Sequence, residues 1–241
     1  MGQIRLDRLL SELGVASRSE LRRIIKSGRV SVDGRVITAP EERVDAEQSE
    51  IRLDGTVLGL RRCRYFMMDK PAGVLSVTED RKQATVLSIL PPELRRLGLF
   101  PVGRLDKDTS GLLLLTNDGD FAHRVISPKS SVEKRYRAVV EGVPDEEDAQ
   151  AFLEGIVLAD GTRCLPARLE PTGGNICYVT VMEGKYHQVK RMLAARGKPV
   201  AQLRRLSVGE LEIGEALGPG GFRELEEKDL CKVLRDFSIG K

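Results

Sequence analysis

The chain has 241 residues, enough for one large domain or for a large domain with a small one. Its composition, 41% hydrophobic and 31% charged, is that of an ordinary soluble protein, and a net charge of +3 alone does not indicate a nucleic-acid partner. The first residues lack an apolar signal core, and no apolar run is long enough to span a membrane. We therefore expect a cytoplasmic protein that has no membrane partner.

The cysteines and histidines are too few and too scattered to indicate a metal site. The four cysteines are far apart, no two of them form a CxxC pair, and there are only two histidines. Scattered cysteines of this kind are typical of proteins in a reducing cytosol. The pattern argues against both a structural zinc and a disulfide framework.

The N-terminal residues predict two short helices. Four leucines recur at helical spacing, namely Leu6, Leu9, Leu10 and Leu13, and Gly14 follows them as a residue that ends a helix. Ser17 and Glu20 have the spacing of a capping box, which predicts the start of a second helix that Gly28 ends.

The second helix carries a basic face, and a tight hairpin follows it. The basic face consists of Arg18, Arg22, Arg23 and Lys26. Such a face suits the phosphates of a structured RNA, although it could equally be only solvated. In the segment VSVDGRVI, Asp33 and Gly34 favour a two-residue turn of the primed type.

The charge distribution sets this N-terminal segment apart. Residues 1–38 hold eight Lys or Arg against four Asp or Glu, whereas residues 39–60 hold two against six. The stretch RLDRLLSELGVASRSELRRIIKSGRVSVDGRVI resembles the S4 RNA-binding domain, with the glycines and the hairpin turn in register. The resemblance implies an RNA-binding domain at 1–60, followed by a second domain at 61–241.

The second domain is predicted to contain a mixture of short strands and short helices. Strands are predicted within the stretches 64–76, 111–119, 134–142, 156–170 and 176–184, and two more near the end of the chain. Helices are predicted within 85–95, where Pro91 and Pro92 should end the helix, within 120–127, 144–155 and 187–197, and from about Glu226. Because strands and helices do not alternate regularly, the pattern indicates an α+β fold.

The stretch GRLDKDTSGLLLLTNDG, residues 103–119, is open to several interpretations. Asp106, Asp108 and the following Gly111 fit the first half of a calcium loop, but four leucines and Asn117 occupy the later ligand positions. A phosphohydrolase with a DxD pair would need an uninterrupted apolar strand before the first Asp, and Gly103 interrupts it. Both aspartates could also be ordinary turn residues.

The same stretch resembles the catalytic motif of the pseudouridine synthases, most closely the RsuA branch that acts on small-subunit ribosomal RNA. Supporting motifs are KPAGVLS, SPKSSVEKRY and MEGKYHQVKRM, so that with the S4 segment the resemblance covers nearly the whole chain. One departure is Asp69, where the family usually has Asn. The resemblance implies a mainly antiparallel sheet with flanking helices, and an isomerisation of uridine that requires neither a metal nor another cofactor.

The resemblance also assigns roles to individual residues. It makes Asp106 the catalytic carboxylate, Lys190 its basic partner and Tyr136 the ring that contacts the target base. Arg104 is expected to help displace the base or to hold a phosphate. We assign His187 no chemistry, and Lys70 could be a loop residue that contacts a phosphate or is solvated.

The expected substrate is a uridine of 16S ribosomal RNA within an assembling small ribosomal subunit, and the protein is expected to be a monomer. Modification of a 23S uridine is the alternative within the same class of enzyme. A ribosome-associated RNA-binding protein without catalysis is the alternative from another class, because the S4 segment alone would permit it. A turnover assay on RNA separates these two classes.

Overall fold

The computed structural model describes residues 3–45, 49–58 and 63–237. The chain divides into an N-terminal unit, Met1–Arg64 with Leu90–Leu99, and a large unit, Tyr65–Ile89 with Phe100–Lys241. The predicted boundary between residues 60 and 61 lies outside the described residues. The sequence had placed 90–99 in the second domain, whereas the structure groups this segment with the first unit.

The N-terminal unit contains the two predicted helices, α1 (Leu6–Glu12) and α2 (Arg18–Lys26). The capping box is confirmed, because the Ser17 side chain accepts from the Glu20 amide and Glu20 accepts from the Ser17 amide. Ten buried apolar residues form the core of this unit, with Leu6, Leu21 and Ile25 fully enclosed. The leucine spacing therefore predicts correctly which helix face is buried.

Short strands complete the N-terminal unit. They are β1 (Ile4–Arg5), β2 (Val30–Val32), β3 (Arg35–Ile37), β4 (Arg43–Val44), β5 (Ile51–Leu53) and β6 (Thr56–Val57). The sheet order is β3-β2-β5-β6, and β1 pairs separately with β4. Asp33 and Gly34, at φ of 49° and 80°, form the left-handed turn that the hairpin requires.

The segment 90–99 corrects one prediction from the sequence. Residues 85–90 form turns, and the short helix α3 is Pro92–Arg95. The prolines therefore begin this helix and do not end it. Proline lacks an amide proton but needs no intrahelical partner in the first turn, which is why it is favoured there.

The large unit is built on one mixed sheet. Its strands are β7 (Tyr65–Lys70), β8 (Phe100–Pro101), β9 (Ser110–Thr116), β10 (Lys134–Val140), β11 (Arg168–Pro171), β12 (Ile176–Val181), β13 (Val200–Val208), β14 (Leu211–Glu212) and β15 (Phe222–Glu224). The main order is β11-β12-β10-β13-β9-β7-β15, with β8 beside β9 and β14 beside β13. All pairs are antiparallel except β9 with β13, which confirms the α+β class.

Helices flank this sheet, and together they enclose its core. They are α4 (Gly119–Ile126), α5 (Glu146–Glu154), α6 (Gln188–Ala195) and α7 (Glu227–Val233). Side chains of α5 and α6, including Phe152, Met192 and Leu193, pack with the inward residues of β10, β12 and β13. The predicted strand over 156–170 is mostly wrong, since only a single bridge and β11 occupy that stretch.

Glycine makes the parallel pairing of β9 with β13 possible. Gly111 lies opposite Arg205, has a φ of 104°, and a Cβ at this position would lie 2.1 Å from the Arg205 carbonyl oxygen. Only a residue without a side chain fits so close to another backbone. This contact brings the start of β9, and the loop that precedes it, against the middle of β13.

None of the helices in the described part of the chain combines the length and the apolar character needed to cross a membrane. The four cysteines are thiols, with Cys164 and Cys177 buried.

Candidate active site

The loop between β8 and β9 carries Asp106. The carbonyl oxygen of Asp106 accepts a hydrogen bond from the Thr109 amide at 3.1 Å, which closes a turn over residues 106–109. Gly103 enters the loop at a φ of 73°. The Asp106 side chain is 26% exposed, so the carboxylate is reachable from solvent.

Lys70 supports this loop from inside the protein. The side chain is fully buried, and its Nζ donates to the carbonyl oxygens of Pro71 (2.9 Å), Lys107 (3.3 Å) and Thr109 (2.8 Å). Burial lowers the pKa of Lys70 to about 8, although Asp108 and Asp106 act in the opposite direction. The expectation that Lys70 is a solvated residue or a phosphate contact is therefore wrong: the ammonium holds the backbone of the Asp106 loop.

Lys190 joins the Asp106 loop to helix α6. Its Nζ lies 3.1 Å from Asp106 Oδ2 and 2.6 Å from Asp108 Oδ1. Burial alone would lower the pKa of Lys190, but the bonds to Asp108 and Asp106 outweigh it and raise the pKa. The hydrogen bond from Lys190 likewise lowers the pKa of Asp108. A cation in the first turn of a helix is unfavourable, and the two carboxylates offset that cost.

His187 is a second partner of Asp106 that the sequence reasoning missed. Its Nε2 lies 3.3 Å from Asp106 Oδ1. The residue adopts a left-handed backbone, with a φ of 49°, immediately before α6, and its ring stacks on Tyr186 with centroids 3.8 Å apart. Left-handed backbone is uncommon for a non-glycine residue and is often found at functional sites. Its position three residues before Lys190 is the signal that could have indicated it.

The turn that precedes α6 is held by a buried carboxylate. Glu183 is 6% exposed and accepts hydrogen bonds from the Leu165 amide and from Gln188 Nε2, each at 2.8 Å. Lys185 forms an ion pair with the same carboxylate. These contacts fix residues 183–188, and with them the positions of His187 and Lys190.

Tyr136 lies on β10, on the face of the sheet that lines the Asp106 site. Its ring packs partly against the core, and its Oη lies 3.5 Å from Nη1 of the buried Arg205. Tyr136 therefore contacts both the core and the cavity. Arg205 and the buried Lys134 are the other cations on this face that the sequence reasoning did not single out.

These residues surround a cavity of about 910 Å³, which is large enough for a nucleotide. Asp106, Tyr136 and His187 line it, and so does the exposed Arg104. Lys190 is ion-paired with Asp106, which lines the cavity.

The four residues of the basic face lie in the N-terminal unit. All four are exposed on α2, and Arg22 also lies 3.7 Å from the buried Asp7 carboxylate.

Asp69, the departure from the family pattern, is buried and forms two hydrogen bonds of 2.9 and 2.8 Å with Arg204. An acid at this position is therefore matched by a cation on β13.

The two aspartates of the Asp106 loop share one cation of the protein itself. Over the described ranges 3–45, 49–58 and 63–237, no cluster of three or more His, Cys, Asp or Glu side chains could hold a metal ion. Asp106 and Asp108 instead share Lys190.

Comparison with known families agrees with the fold. Residues 64–195 match the model described as RNA pseudouridylate synthase, and residues 4–50 match that of the S4 domain. The first match covers more than half of the 241 residues. The chain belongs to the RNA pseudouridylate synthases, and it is an RNA pseudouridine synthase, an isomerase that acts on RNA.

Individual relatives are similar over almost the whole chain. An uncharacterised RNA pseudouridine synthase of Bacillus subtilis is 44% identical, with 94% of this chain and 97% of the relative covered. Ribosomal small subunit pseudouridine synthase A of Vibrio cholerae is 39% identical, with 96% and 100% covered. A crystal structure of a pseudouridylate synthase matches with a TM-score of 0.68 and 33% identity, covering 96% of this chain and 100% of the other.

Proposed function

We propose that this protein converts a specific uridine of 16S ribosomal RNA to pseudouridine. The substrate class is supported by similarity over nearly the full length to proteins named ribosomal small subunit pseudouridine synthase A. In the reaction the bond between uracil N1 and ribose C1′ breaks, the base turns, and C5 bonds to C1′ while N1 takes up a proton and C5 loses one. No atoms are added or removed overall, so an enzyme needs only to position the uridine and to stabilise charge.

The single observation that supports this assignment best is the geometry around Asp106. Its carboxylate lies within 3.3 Å of both Lys190 Nζ and His187 Nε2, and it remains accessible from a cavity of nucleotide size. The Lys190 ammonium is at ion-pair distance from this carboxylate. We assign Asp106 as the catalytic group, which acts either as a nucleophile or as a base toward the ribose. Lys190 holds and balances its charge.

Tyr136 and Arg104 complete the proposed site. Tyr136 presents a ring to the cavity, where it can contact a uracil that has left its stack. Arg104 is exposed at the same cavity beside Asp106 and can replace the displaced base or bind a phosphate. The exposed basic face on α2 is assigned to phosphates of the ribosomal RNA. The proposed partner is RNA in an assembling small subunit, bound by a cytoplasmic monomer.

Mapping of pseudouridine in ribosomal RNA tests this proposal. Total rRNA from cells with and without the protein is compared, and cells that express only Asp106→Asn serve as the matched control. We expect one 16S site that is lost in the absence of the protein and is restored by the wild type alone. A site that appears in 23S rRNA would replace the proposed target. Restoration by Asp106→Asn would overturn the catalytic assignment.

The stage of assembly is tested with purified components. The wild-type protein is incubated with free 16S rRNA, with a partly assembled small subunit and with the mature subunit, and the product is measured with time. We expect the partly assembled particle to react fastest. An equal rate on free rRNA would remove the assembling particle from the proposal while leaving the RNA target in place.

A further inference from the structure

Two buried cations lie side by side on the wall of the Asp106 cavity. Lys134 on β10 is 8% exposed and Arg205 on β13 is 5% exposed, and both line the cavity. Lys134 and Tyr136 alternate along β10 and therefore project to the same face, and Arg205 lies opposite Tyr136, beyond a register shift between Arg135 and Tyr136. Opposed residues of an antiparallel pair project to the same face of the sheet. The register therefore places both cations on the face that carries Tyr136.

The protein itself satisfies these cations only in part. Lys134 Nζ donates to the Val125 carbonyl oxygen over 3.4 Å. Arg205 donates from Nε to the Leu112 carbonyl oxygen at 2.7 Å, and from Nη1 to Tyr136 Oη over 3.5 Å. Each cation carries more N–H donors than these acceptors use. Within the described part of the chain, neither is within 4.0 Å of a carboxylate.

Other buried charges of the large unit have close partners. Asp69 is bound by Arg204 and Asp148 by Arg196, each at 2.8 Å. The fully buried Lys70 donates to three carbonyl oxygens. An unpaired buried charge is costly, and two of like sign repel each other. Burial, followed by the nearby Arg205 charge, accordingly lowers the pKa of Lys134 to about 8.

We propose that Lys134 and Arg205 form an anion subsite that binds a backbone phosphate of the substrate RNA next to the target uridine. This inference rests on the proposed catalytic role of the Asp106 cavity, but it does not depend on which RNA is modified. A phosphodiester carries one permanent negative charge that can interact with both cations and offset part of their charge, whereas the uracil ring enters the cavity uncharged. Arginine and lysine are also the side chains that most often bind phosphate.

The subsite would position the uridine relative to Asp106. Arg205 contacts the Tyr136 hydroxyl, and Tyr136 lines the same cavity as Asp106. A phosphate held at Lys134 and Arg205 therefore fixes one end of the nucleotide, while Tyr136 contacts the base at the other. Binding energy from a part of the substrate that does not react can in this way orient the part that does.

Small nucleotides test the subsite without any turnover. The probes are uridine, uridine 5′-(methyl phosphate) and uridine 3′-(methyl phosphate), and their affinities for the full-length protein are measured by titration. We expect at least one methyl phosphate to bind about tenfold more tightly than uridine, the gain of one or two charge-assisted hydrogen bonds. The probe that gains affinity also shows whether the phosphate lies on the 5′ or the 3′ side.

Variants then assign the gain to the two cations. Lys134→Met keeps the length and apolar stem of the side chain, and Lys134→Gln keeps a donor for the Val125 carbonyl if the Met variant fails to fold. Both should lose most of the methyl phosphate advantage and still bind uridine as the wild type does. The matched control is Lys228→Met, which removes an exposed lysine of α7 outside the cavity. Arg205→Lys should retain part of the advantage.

Three results would overturn the inference. If uridine and both methyl phosphates weaken equally, the cations contact the base or the sugar. If no affinity changes but the single-turnover rate on RNA falls, they stabilise charge on the leaving uracil. If neither affinity nor rate changes, the pair has no role toward substrate. Failure to modify 16S rRNA would leave all of these binding results unaffected, so the two proposals fail independently.

Discussion

The charges on α2 and those around Asp106 belong to different physical settings. On α2 the four cations of the basic face are exposed, and a local helix places them. Around Asp106, Lys70 is wholly buried and Lys190 is partly buried, and both contact residues far away in the chain: Lys190 reaches Asp108 across 82 residues, and Lys70 reaches Thr109 across 39. Exposed charges interact weakly and are screened by salt, whereas buried ones interact strongly.

This difference predicts two kinds of mutational effect. A change near Asp106 should reduce the rate of the chemical step or shift the pH dependence of folding, because each charge there depends on a fixed partner. A change on α2 should alter RNA affinity and its dependence on salt, and leave the chemical step unaffected.

Substitution of the two aspartates in the Asp106 loop should give the largest difference in reaction rate. Asp106→Asn is expected to bind RNA as the wild type does and to form no detectable product, because the amide keeps the shape and loses the charge. Asp108, whose side chain is 76% exposed, is the matched control, and Asp108→Asn should retain the rate within about threefold. The measurement is single-turnover conversion at saturating RNA. Equal effects of the two substitutions would contradict the assignment of Asp106.

Removal of the Lys190 charge should have the next largest effect. Lys190→Met leaves Asp106 without its ammonium partner, and we expect the single-turnover rate to fall about a hundredfold. Lys190→Arg should recover part of the rate, since it keeps a cation at the start of α6. RNA affinity is measured alongside. A weaker affinity with an unchanged rate would show that Lys190 contacts phosphate and does not balance Asp106.

Lys70 should affect the pH dependence of stability. The pKa of Lys70 is about 8 in the folded protein and 10.5 for an ordinary lysine, so between these values the unfolded chain holds the proton that the folded chain has lost. The free energy of unfolding of the wild type should therefore rise with pH relative to Lys70→Met, by up to about 1.4 kcal/mol per pH unit. Urea unfolding between pH 7 and 10.5 measures this difference.

The measured quantity is the difference between the free energies of unfolding of the wild type and Lys70→Met. The similar titration of Lys134 occurs in both proteins and cancels from this difference. The sign is the decisive result. If the free energy of unfolding of the wild type relative to Lys70→Met stays constant with pH, Lys70 keeps an ordinary pKa. If this relative free energy falls with pH, the folded protein favours the charged form of Lys70.

The basic face should give the smallest effect on catalysis. With all four residues changed to Gln, we expect weaker RNA binding and a slope of log affinity against log salt reduced by up to about 0.9 per lost phosphate contact, a value taken from duplex DNA. The single-turnover rate at saturating RNA should be unchanged. As a matched control, Arg29 and Arg35 are changed to Gln, since they already pair with Asp54 and Glu42 in the same unit. An unchanged slope would show that the basic face is only solvated.

Much of the N-terminal unit could be predicted from sequence because its signals are local. The capping box of Ser17 with Glu20 and the turn at Asp33 and Gly34 involve residues within a few positions of one another, and the structure confirms both. The leucine spacing of α1 likewise predicts its buried face. The proline pair shows the limit of such signals, since Pro91 and Pro92 mark a helix boundary without telling which end of a helix it is.

For the active site, the sequence by itself determined Asp106, Tyr136 and Lys190 as candidates, through motifs that resemble a family. Only the tertiary structure decided the partners: Lys70 inside the Asp106 loop, His187 beside the carboxylate, and Lys134 and Arg205 on the cavity wall. The physical reason is that the environment of a charge depends on how it is buried and what it faces. Arg205 contacts Leu112, 93 residues away, and no local pattern records such a contact.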